Sequence, residues 1–263
     1  MHVEAADGSA AGDGLEPLLA GTRRGRRGRQ VWHEPPGWLI WLSWASLGVA
    51  ALGAVDILID IYGRRRRQMM PVMEAVWPVT ALYFGPVATV AYRRWGRPKS
   101  RCWLDQQGLD EPPDRPFWTK VAVGVSHCGA GCTLGDIVAE WVVFALGLQI
   151  AGLALPVEYV GDYVLALALG IAFQYFAIAP MRGLGFRKGI AQAAKADVLS
   201  LTAFEVGLFG WMALMALVFF PNPHLHPDSP VYWFGMQIGM VLGFLTAWPV
   251  NVWLIRKGIK EEM

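Results

Sequence analysis

The residues best suited to chemistry lie in one segment, where possible metal ligands recur at every fourth position. Cys128, Cys132, Asp136 and Glu140 follow one another at this spacing, and His127 precedes the first of them. Because residues four apart share one side of an α-helix, a helix here would carry two thiols, two carboxyl groups and an imidazole along one face. Ionisable groups are costly in the middle of a bilayer, so this face must point into a helix bundle or towards water.

A second polar set lies in a later apolar segment, in which Asp197 and Glu205 are eight residues apart and share a helical face. Both segments are expected to enter the membrane from the inner side, so that Cys128 lies about 12 Å beyond Lys120 and Glu205 about 12 Å beyond Asp197, at a rise of 1.5 Å per residue. We therefore expect the two sets to meet. Three further residues are expected to complete the lining of the same path: Gln174, Met181 and Asn251.

This combination of donors suits a transition metal, because sulfur and imidazole nitrogen favour copper or zinc and carboxylates are compatible with zinc. The sequence thus predicts a metal-binding membrane protein that transports or handles copper or zinc. The predicted ligands are His127, Cys128, Cys132, Asp136 and Glu205. Glu140 and Asp197 are predicted to line the path.

Three other interpretations of the same residues stay open. The cysteines could simply pack against neighbouring helices while the acids pair with Lys120, Lys195 or the backbone. Cys128 and Cys132 could form a redox pair in a thiol oxidoreductase, although β-carbons four residues apart lie about 5 to 6 Å apart, so a disulfide needs a local unwinding. The polar face could also dock another membrane protein in a scaffold subunit. Common catalytic signatures are absent, so the sequence does not decide whether the protein is an enzyme.

The amino-acid composition indicates the environment in which these residues act. The chain has 263 residues, of which 54% are apolar and 17% charged. Soluble proteins have about 25% charged residues, so an ordinary water-soluble domain is excluded and the lipid bilayer is the expected partner. A net charge of +2 is too small to indicate nucleic-acid binding. Three cysteines are too few for a disulfide scaffold.

The elements that must position these residues form an all-α, polytopic transmembrane helix bundle. Residues 1–37 are rich in arginine and predict a disordered basic tail, and residues 38–263 predict a single membrane domain. About six helices are long enough to cross roughly 30 Å of hydrocarbon. They are predicted at about 38–62, 71–92, 118–155, 159–180, 197–220 and 231–255.

Basic residues indicate how the helices are oriented. Lys and Arg are frequent between the predicted fourth and fifth helices and after the sixth, but absent from the loops near Glu158 and His224. By the positive-inside rule, the protein is a multi-pass protein of the cell (plasma or inner) membrane with a cytoplasmic C-terminus. Arg64 to Arg67 break this rule if there are six spans. The alternative is that the first helix runs the other way and the 71–92 stretch is re-entrant or tilted.

Other polar residues have simpler expected roles. His224 and His226 could capture a cation, but the prolines around them favour a rigid turn. Asp56, Asp60 and Glu74 are expected to pair with the arginine run that follows the first helix.

Three segments together resemble a known family. They are SHCGAGCTLGD at 126–136, FQYFAIAPMR at 173–182, and KAD with TAFEVG at 195–207, and the HLHPDSP loop at 224–230 accompanies them. The chain is similar over about 38–263 to a bacterial integral-membrane family known as domain of unknown function 4396. The resemblance implies a multi-helix bacterial membrane protein and indicates no substrate, so the metal hypothesis depends on the residues alone.

Overall fold

The computed structural model describes residues 35–150, 155–182, 186–221 and 224–260. The predicted disordered tail lies almost entirely outside these residues. The described part of the chain is all-α, as predicted. Its eight α-helices are α1 Gly37–Leu58, α2 Met73–Phe84, α3 Pro86–Ala91, α4 Arg101–Gln107, α5 Phe117–Leu146, α6 Leu155–Arg182, α7 Phe186–Leu214 and α8 Pro230–Arg256.

Five helices of the described chain are long and apolar enough to cross a membrane. Two of them continue through one π-helical turn, α1 to Gly63 and α7 to Phe219. The spans are Gly37–Gly63, Phe117–Leu146, Leu155–Phe176, Asp197–Phe219 and Pro230–Arg256. The protein is therefore a multi-pass helical membrane protein, and the 71–92 stretch is the predicted helix that is not among these spans.

The 71–92 stretch forms a broken helix pair, α2 and α3. The helix breaks at Gly85, whose φ of 54° and ψ of −128° suit glycine and interrupt the helical hydrogen bonds. The two ends of the pair lie side by side: the Met69 amide donates to the Lys99 carbonyl at 3.0 Å, and the Trp77 and Tyr92 rings are 5.7 Å apart. Helices α2 and α3 are thus a re-entrant hairpin that enters and leaves on one side.

The tip of this hairpin is fixed deep inside the bundle. The Gln237 side chain of α8 donates from Nε2 to the Leu82 carbonyl at 2.6 Å, and its Oε1 accepts from the Ser46 hydroxyl of α1 at 2.7 Å. Backbone groups freed by a helix break must find partners within the protein when they lie at membrane depth. The Gln237 amide supplies one such partner and ties three elements together.

A cluster of charged groups around Asp60 joins the end of α1 to the end of the hairpin. The buried Asp60 carboxylate accepts from Arg64 Nη1 at 3.0 Å and Arg66 Nη1 at 2.6 Å. It also accepts from Arg97 Nη2 at 3.0 Å and from the Tyr92 hydroxyl at 2.9 Å. The arginine run therefore lies on the same side as the end of α3, and its expected pairing with Asp60 is confirmed.

The described part of the chain consequently has five candidate spans, and α1 runs in the direction that the alternative arrangement required. The Arg256 guanidinium at the end of α8 lies 5.6 Å from the centre of the Phe117 ring at the start of α5. We call this side of the bundle the basic face. It carries the arginine run, the loop before α5, the start of α7 and the end of α8. The other side, at the end of α5 and the start of α8, is called the opposite face.

Close helix contacts hold α5 against α6. A Cβ atom on Gly131 would lie 2.8 Å from the Gly170 Cα, and one on Gly135 would lie 2.6 Å from the Ala166 Cα. Such distances leave no room for a side chain, so the two backbones touch. Small residues commonly permit this approach in membranes. The contact brings the polar face of α5 directly against α6.

Candidate functional site

The polar face of α5 points into the protein along its whole length. Its members are buried with at most 3% of their surface exposed: His127, Cys128, Cys132, Asp136 and Glu140. Helix α6 covers this face on one side, α7 on another, and the hairpin reaches it through Tyr83. We call this face of α5 the stripe. It avoids the lipid, as its ionisable side chains require.

Near the middle of α5, sulfur and oxygen groups from three elements meet. The Cys132 side chain neighbours those of Cys128 and of Glu205 on α7. Both cysteines are free. The Tyr83 hydroxyl from the hairpin lies beside them, since a Cβ atom on Gly129 would be 3.1 Å from it. Glycine at 129 therefore leaves room both for this hydroxyl and for the Phe204 ring of α7, which would lie 2.8 Å from the same Cβ atom.

Further along α5, towards the opposite face, four carboxyl groups come together. Asp136 interacts electrostatically with Glu205 of α7, Asp162 of α6 and Glu140. Asp162 and Glu140 are direct neighbours, and Glu140 also neighbours the Tyr232 hydroxyl of α8. We call Asp136, Glu140, Asp162 and Glu205 the carboxyl cluster. Sequence analysis did not identify Asp162, although an ionisable residue in a predicted span is itself a signal.

The carboxyl cluster has few partners among the described residues. Both oxygens of Asp136 and of Glu205 are buried without a hydrogen bond, as is one oxygen each of Glu140 and Asp162. The groups that act on these four residues are other carboxyl groups, the Cys132 thiol and the Tyr232 hydroxyl. Neither Lys nor Arg is among them. Buried polar groups without partners are uncommon in folded proteins and indicate a function or an unseen ligand.

The other end of the stripe, towards the basic face, is neutralised. Asp197 forms a fully buried ion pair with Lys260, whose Nζ lies 3.1 Å from Oδ1. The same Nζ donates to the Ser200 hydroxyl at 3.4 Å. These two charges act on His127, whose ring nitrogens lack a hydrogen-bond partner in the described chain. Lys260 was missed because it follows the last span, where a lysine is normally solvated.

The predicted lining residues have different surroundings. Gln174 is fully buried and both of its amide atoms lack a described partner. Asn251 donates to the Ser200 hydroxyl at 2.7 Å and to the Ala247 carbonyl at 2.9 Å, so it belongs with the Asp197 ion pair. Met181 lies on α6, but its side chain is outside the described part of the structure.

A cavity of about 370 Å³ opens beside the carboxyl cluster near the opposite face. Its lining includes Glu158, His224, His226 and Tyr232, together with methionine side chains of α7. Tyr232 also neighbours Glu140, and Glu158 interacts with Asp162. The two histidines are exposed. The cavity is therefore lined both by the exposed histidines and by two residues, Glu158 and Tyr232, that neighbour the buried carboxyl groups.

The five predicted ligands do not form one metal site. In the described part of the chain, no three His, Cys, Asp or Glu side chains are arranged to hold a metal ion. The reason is partly axial distance: His127 and Asp136 are nine residues apart, or about 14 Å along a helix, whereas ligands lie about 2 Å from the metal they share. His127 instead belongs to the Asp197 end of the stripe, and Asp136 to the carboxyl cluster.

Fold and site together define a multi-pass membrane protein with a buried, largely acidic row of side chains inside its bundle. Residues 117–260, which include α5 to α8, match the family described as domain of unknown function (DUF4396). The match covers more than half of the chain, so the protein belongs to this family. It begins at α5, however, so α1 to α4 lie outside it. Comparisons with curated proteins and with solved structures found no match.

Proposed function

We propose that the protein is a membrane transporter that moves protons through the carboxyl cluster. The observation that carries this proposal is the meeting of four buried carboxyl groups from α5, α6 and α7 without a basic partner among their described interactions. Inside membranes, chains of acidic side chains are typical of proton pathways.

The electrostatics of the cluster support this proposal. Carboxylates that share a buried site repel one another, so neighbouring groups cannot all be ionised at once. Protons that are shared among such groups relieve the repulsion. Glu140 and Asp162 are direct neighbours, and both interact with further acids on either side. A proton could therefore pass between them with small side-chain movements.

Polar groups extend the path on both sides of the cluster. Towards the opposite face, Glu158 and Tyr232 connect it with the cavity. Towards the basic face, Cys132, Cys128 and His127 continue the stripe to the Asp197 and Lys260 pair. Because α5 to α8 supply all these groups, the proposal applies to the part of the chain that defines the family.

Proton flux into proteoliposomes tests the proposal. The purified protein is reconstituted with a pH-sensitive dye inside, and a potassium gradient with valinomycin provides the driving voltage. We expect the wild type to acidify the vesicles faster than protein-free vesicles do. Glu205→Gln and Asp136→Asn remove a titratable group with little change in size, and each should reduce the rate at least tenfold.

Matched controls make the same chemical changes outside the path. Glu111→Gln and Asp105→Asn alter exposed residues near the basic face, and both should retain the wild-type rate. If wild-type vesicles are no faster than protein-free ones, the protein does not move protons by itself. If flux persists in Glu205→Gln and Asp136→Asn, protons use another route. Either result contradicts the proposal.

A second candidate function is the transport of copper or zinc as cargo. It is favoured by the adjacent side chains of Cys128, Cys132 and Glu205, which could become ligands if the helices shift slightly. Vesicles containing a metal-sensitive chelator dye test it, with Cys128→Ser and Cys132→Ser as variants. Metal uptake that both variants lose would support this cargo, and its absence in the wild type would exclude it.

A further inference from the structure

A second cavity, separate from the acidic path, lies at the basic face next to the membrane edge. It has a volume of about 500 Å³, within the range of small-molecule sites. Its walls come from the turn after α3 and from the loop that leads into α5, and four prolines stiffen them. The Trp95 and Trp118 rings pack edge to face at 5.1 Å on one side of it.

The charged groups of this cavity are mainly basic. Arg94, Lys99 and Arg115 line it against a single acid, Asp114. The Asp114 carboxylate is already engaged, by Lys120 at 3.3 Å and by the Arg115 backbone amide at 2.8 Å. The Arg115 Nη1 atom is buried and lacks a hydrogen-bond partner among the described residues. The cavity thus holds positive charge that its own residues do not neutralise.

Because these basic groups are partly buried, an anion in the cavity would favour their charged forms. Burial and the nearby charges of Arg115 and Lys120 lower the pKa of Lys99. An anion in the cavity would offset both effects. Guanidinium groups present several donors that match the oxygens of a phosphate group, and a lysine adds a mobile point charge.

The position of the cavity adds a second constraint on the ligand. Helix α5 enters the membrane at Phe117, directly after the cavity-lining residues. Tryptophan is enriched at the headgroup level of bilayers, and half of the surface of Trp118 is exposed there. We propose that this cavity binds an anionic phosphate group, supplied either by a phospholipid headgroup or by a free phosphate compound, through Arg94, Lys99 and Arg115.

Native mass spectrometry of the purified full-length protein tests the proposal with defined probes. The protein in a neutral detergent is titrated separately with phosphatidylglycerol, phosphatidylcholine, glycerol phosphate and inorganic phosphate. We expect the first phosphatidylglycerol to bind at least tenfold more tightly than the first phosphatidylcholine. Binding of the two soluble phosphates without a preference for phosphatidylglycerol would support the same site with a free phosphate compound as its ligand.

Substitutions of the cavity residues test whether the probes bind in this cavity. Lys99→Gln combined with Arg115→Gln should weaken the first binding event at least tenfold. Arg101→Gln combined with Lys188→Gln removes the same charge from exposed positions outside the cavity and should change it less than twofold. Lys99→Arg conserves the charge and should keep binding, which separates lost binding from misfolding. Failure of phosphatidylglycerol and of both soluble phosphates to bind specifically, or unchanged binding in the cavity double variant, would overturn the proposal.

Discussion

Asp60 shows how much structure a single buried side chain can organise. Its carboxylate accepts hydrogen bonds from three arginines and one tyrosine, while only 1% of the side chain is exposed. The partners come from the arginine run, from the end of α3 and from the turn that follows α3. Asp56, one turn earlier in α1, pairs with Arg93 of the turn after α3, but these two side chains are 32% and 50% exposed. These two sites therefore allow a controlled comparison of buried and exposed ion pairs.

We expect Asp60→Asn to destabilise the protein strongly and Asp56→Asn to have little effect. Removal of the Asp60 charge leaves Arg66 and Arg97 partly buried without a counter-ion, at a cost of up to about 3 kcal/mol. An exposed pair contributes only about 0 to 1 kcal/mol. Thermal unfolding of both variants in one detergent measures the difference. Similar melting temperatures for the two variants would contradict this account.

Residues of the site differ in how far sequence could predict them. The α5 stripe and Glu205 could be predicted because residues that are four or eight positions apart share one face of a helix. Asp162 could have been found as an ionisable residue inside an apolar run. Lys260 could not, because its burial beside Asp197 depends on the chain folding back after α8. Contacts between elements that are distant in sequence leave no local pattern.

Helix α5 contains glycines with different structural roles. Gly135 lies where the α6 backbone leaves no space, since an added Cβ would be 2.6 Å from the Ala166 Cα. Gly124 lies in the same helix, but an added Cβ there would have nothing within 4 Å. The first glycine sets the distance between two helices, whereas the second does not.

Gly135→Ala should therefore lower the melting temperature, while Gly124→Ala should leave it unchanged or raise it slightly. The larger side chain at 135 must push α5 away from α6, and such overpacking typically costs about 1 to 3 kcal/mol. Alanine at 124 restricts the unfolded chain and favours the helix by about 0.4 to 1 kcal/mol. Thermal unfolding, monitored by tryptophan fluorescence, gives the melting temperatures of the two variants and of the wild type. A stable Gly135→Ala protein would show that α5 and α6 are less tightly packed than described.

The re-entrant hairpin illustrates what hydropathy alone cannot determine. The 71–92 stretch has the length and composition of a span, so it was predicted as a helix that crosses the membrane. Two local signals pointed the other way: the Gly85 and Pro86 dipeptide in its middle, and the arginine run that a sixth span would place on the wrong side. Its depth and its contact with the α5 thiols depend on packing and could not be predicted.

At the scale of the whole molecule, five spans and one hairpin place most of the basic residues on one side. The basic face carries the arginine run, the loop before α5, the start of α7 and the end of α8, whereas the connections after α5 and α7 contain neither Lys nor Arg. This arrangement removes the exception at Arg64 to Arg67, but α1 begins on the opposite face, so the arginines that precede α1 in the sequence remain an exception. We propose from the positive-inside rule that the basic face is cytoplasmic.

Labelling of single cysteines with a membrane-impermeant maleimide tests this topology. In a Cys102→Ser background, Cys128 and Cys132 are buried and should not react. We expect Gln149→Cys and Asp228→Cys to be labelled in intact cells, and Arg65→Cys and Arg101→Cys only after the membrane is opened. All four positions are exposed. Labelling of Arg65→Cys together with Gln149→Cys would restore the six-span arrangement, and a complete reversal would contradict the proposed sidedness.

The contact between Tyr83 and Gly129 also has an evolutionary consequence. Tyr83 belongs to the hairpin, outside the matched region, while Gly129 belongs to the shared four-helix unit. A relative reduced to that unit would expose a groove beside its thiols to acyl chains. Such a relative must cover the groove with a separate subunit, because a larger side chain at position 129 would meet the Phe204 ring of α7 at 2.8 Å. The hairpin is thus the cover that this chain encodes for itself, which a reduced relative would have to receive from a separate subunit.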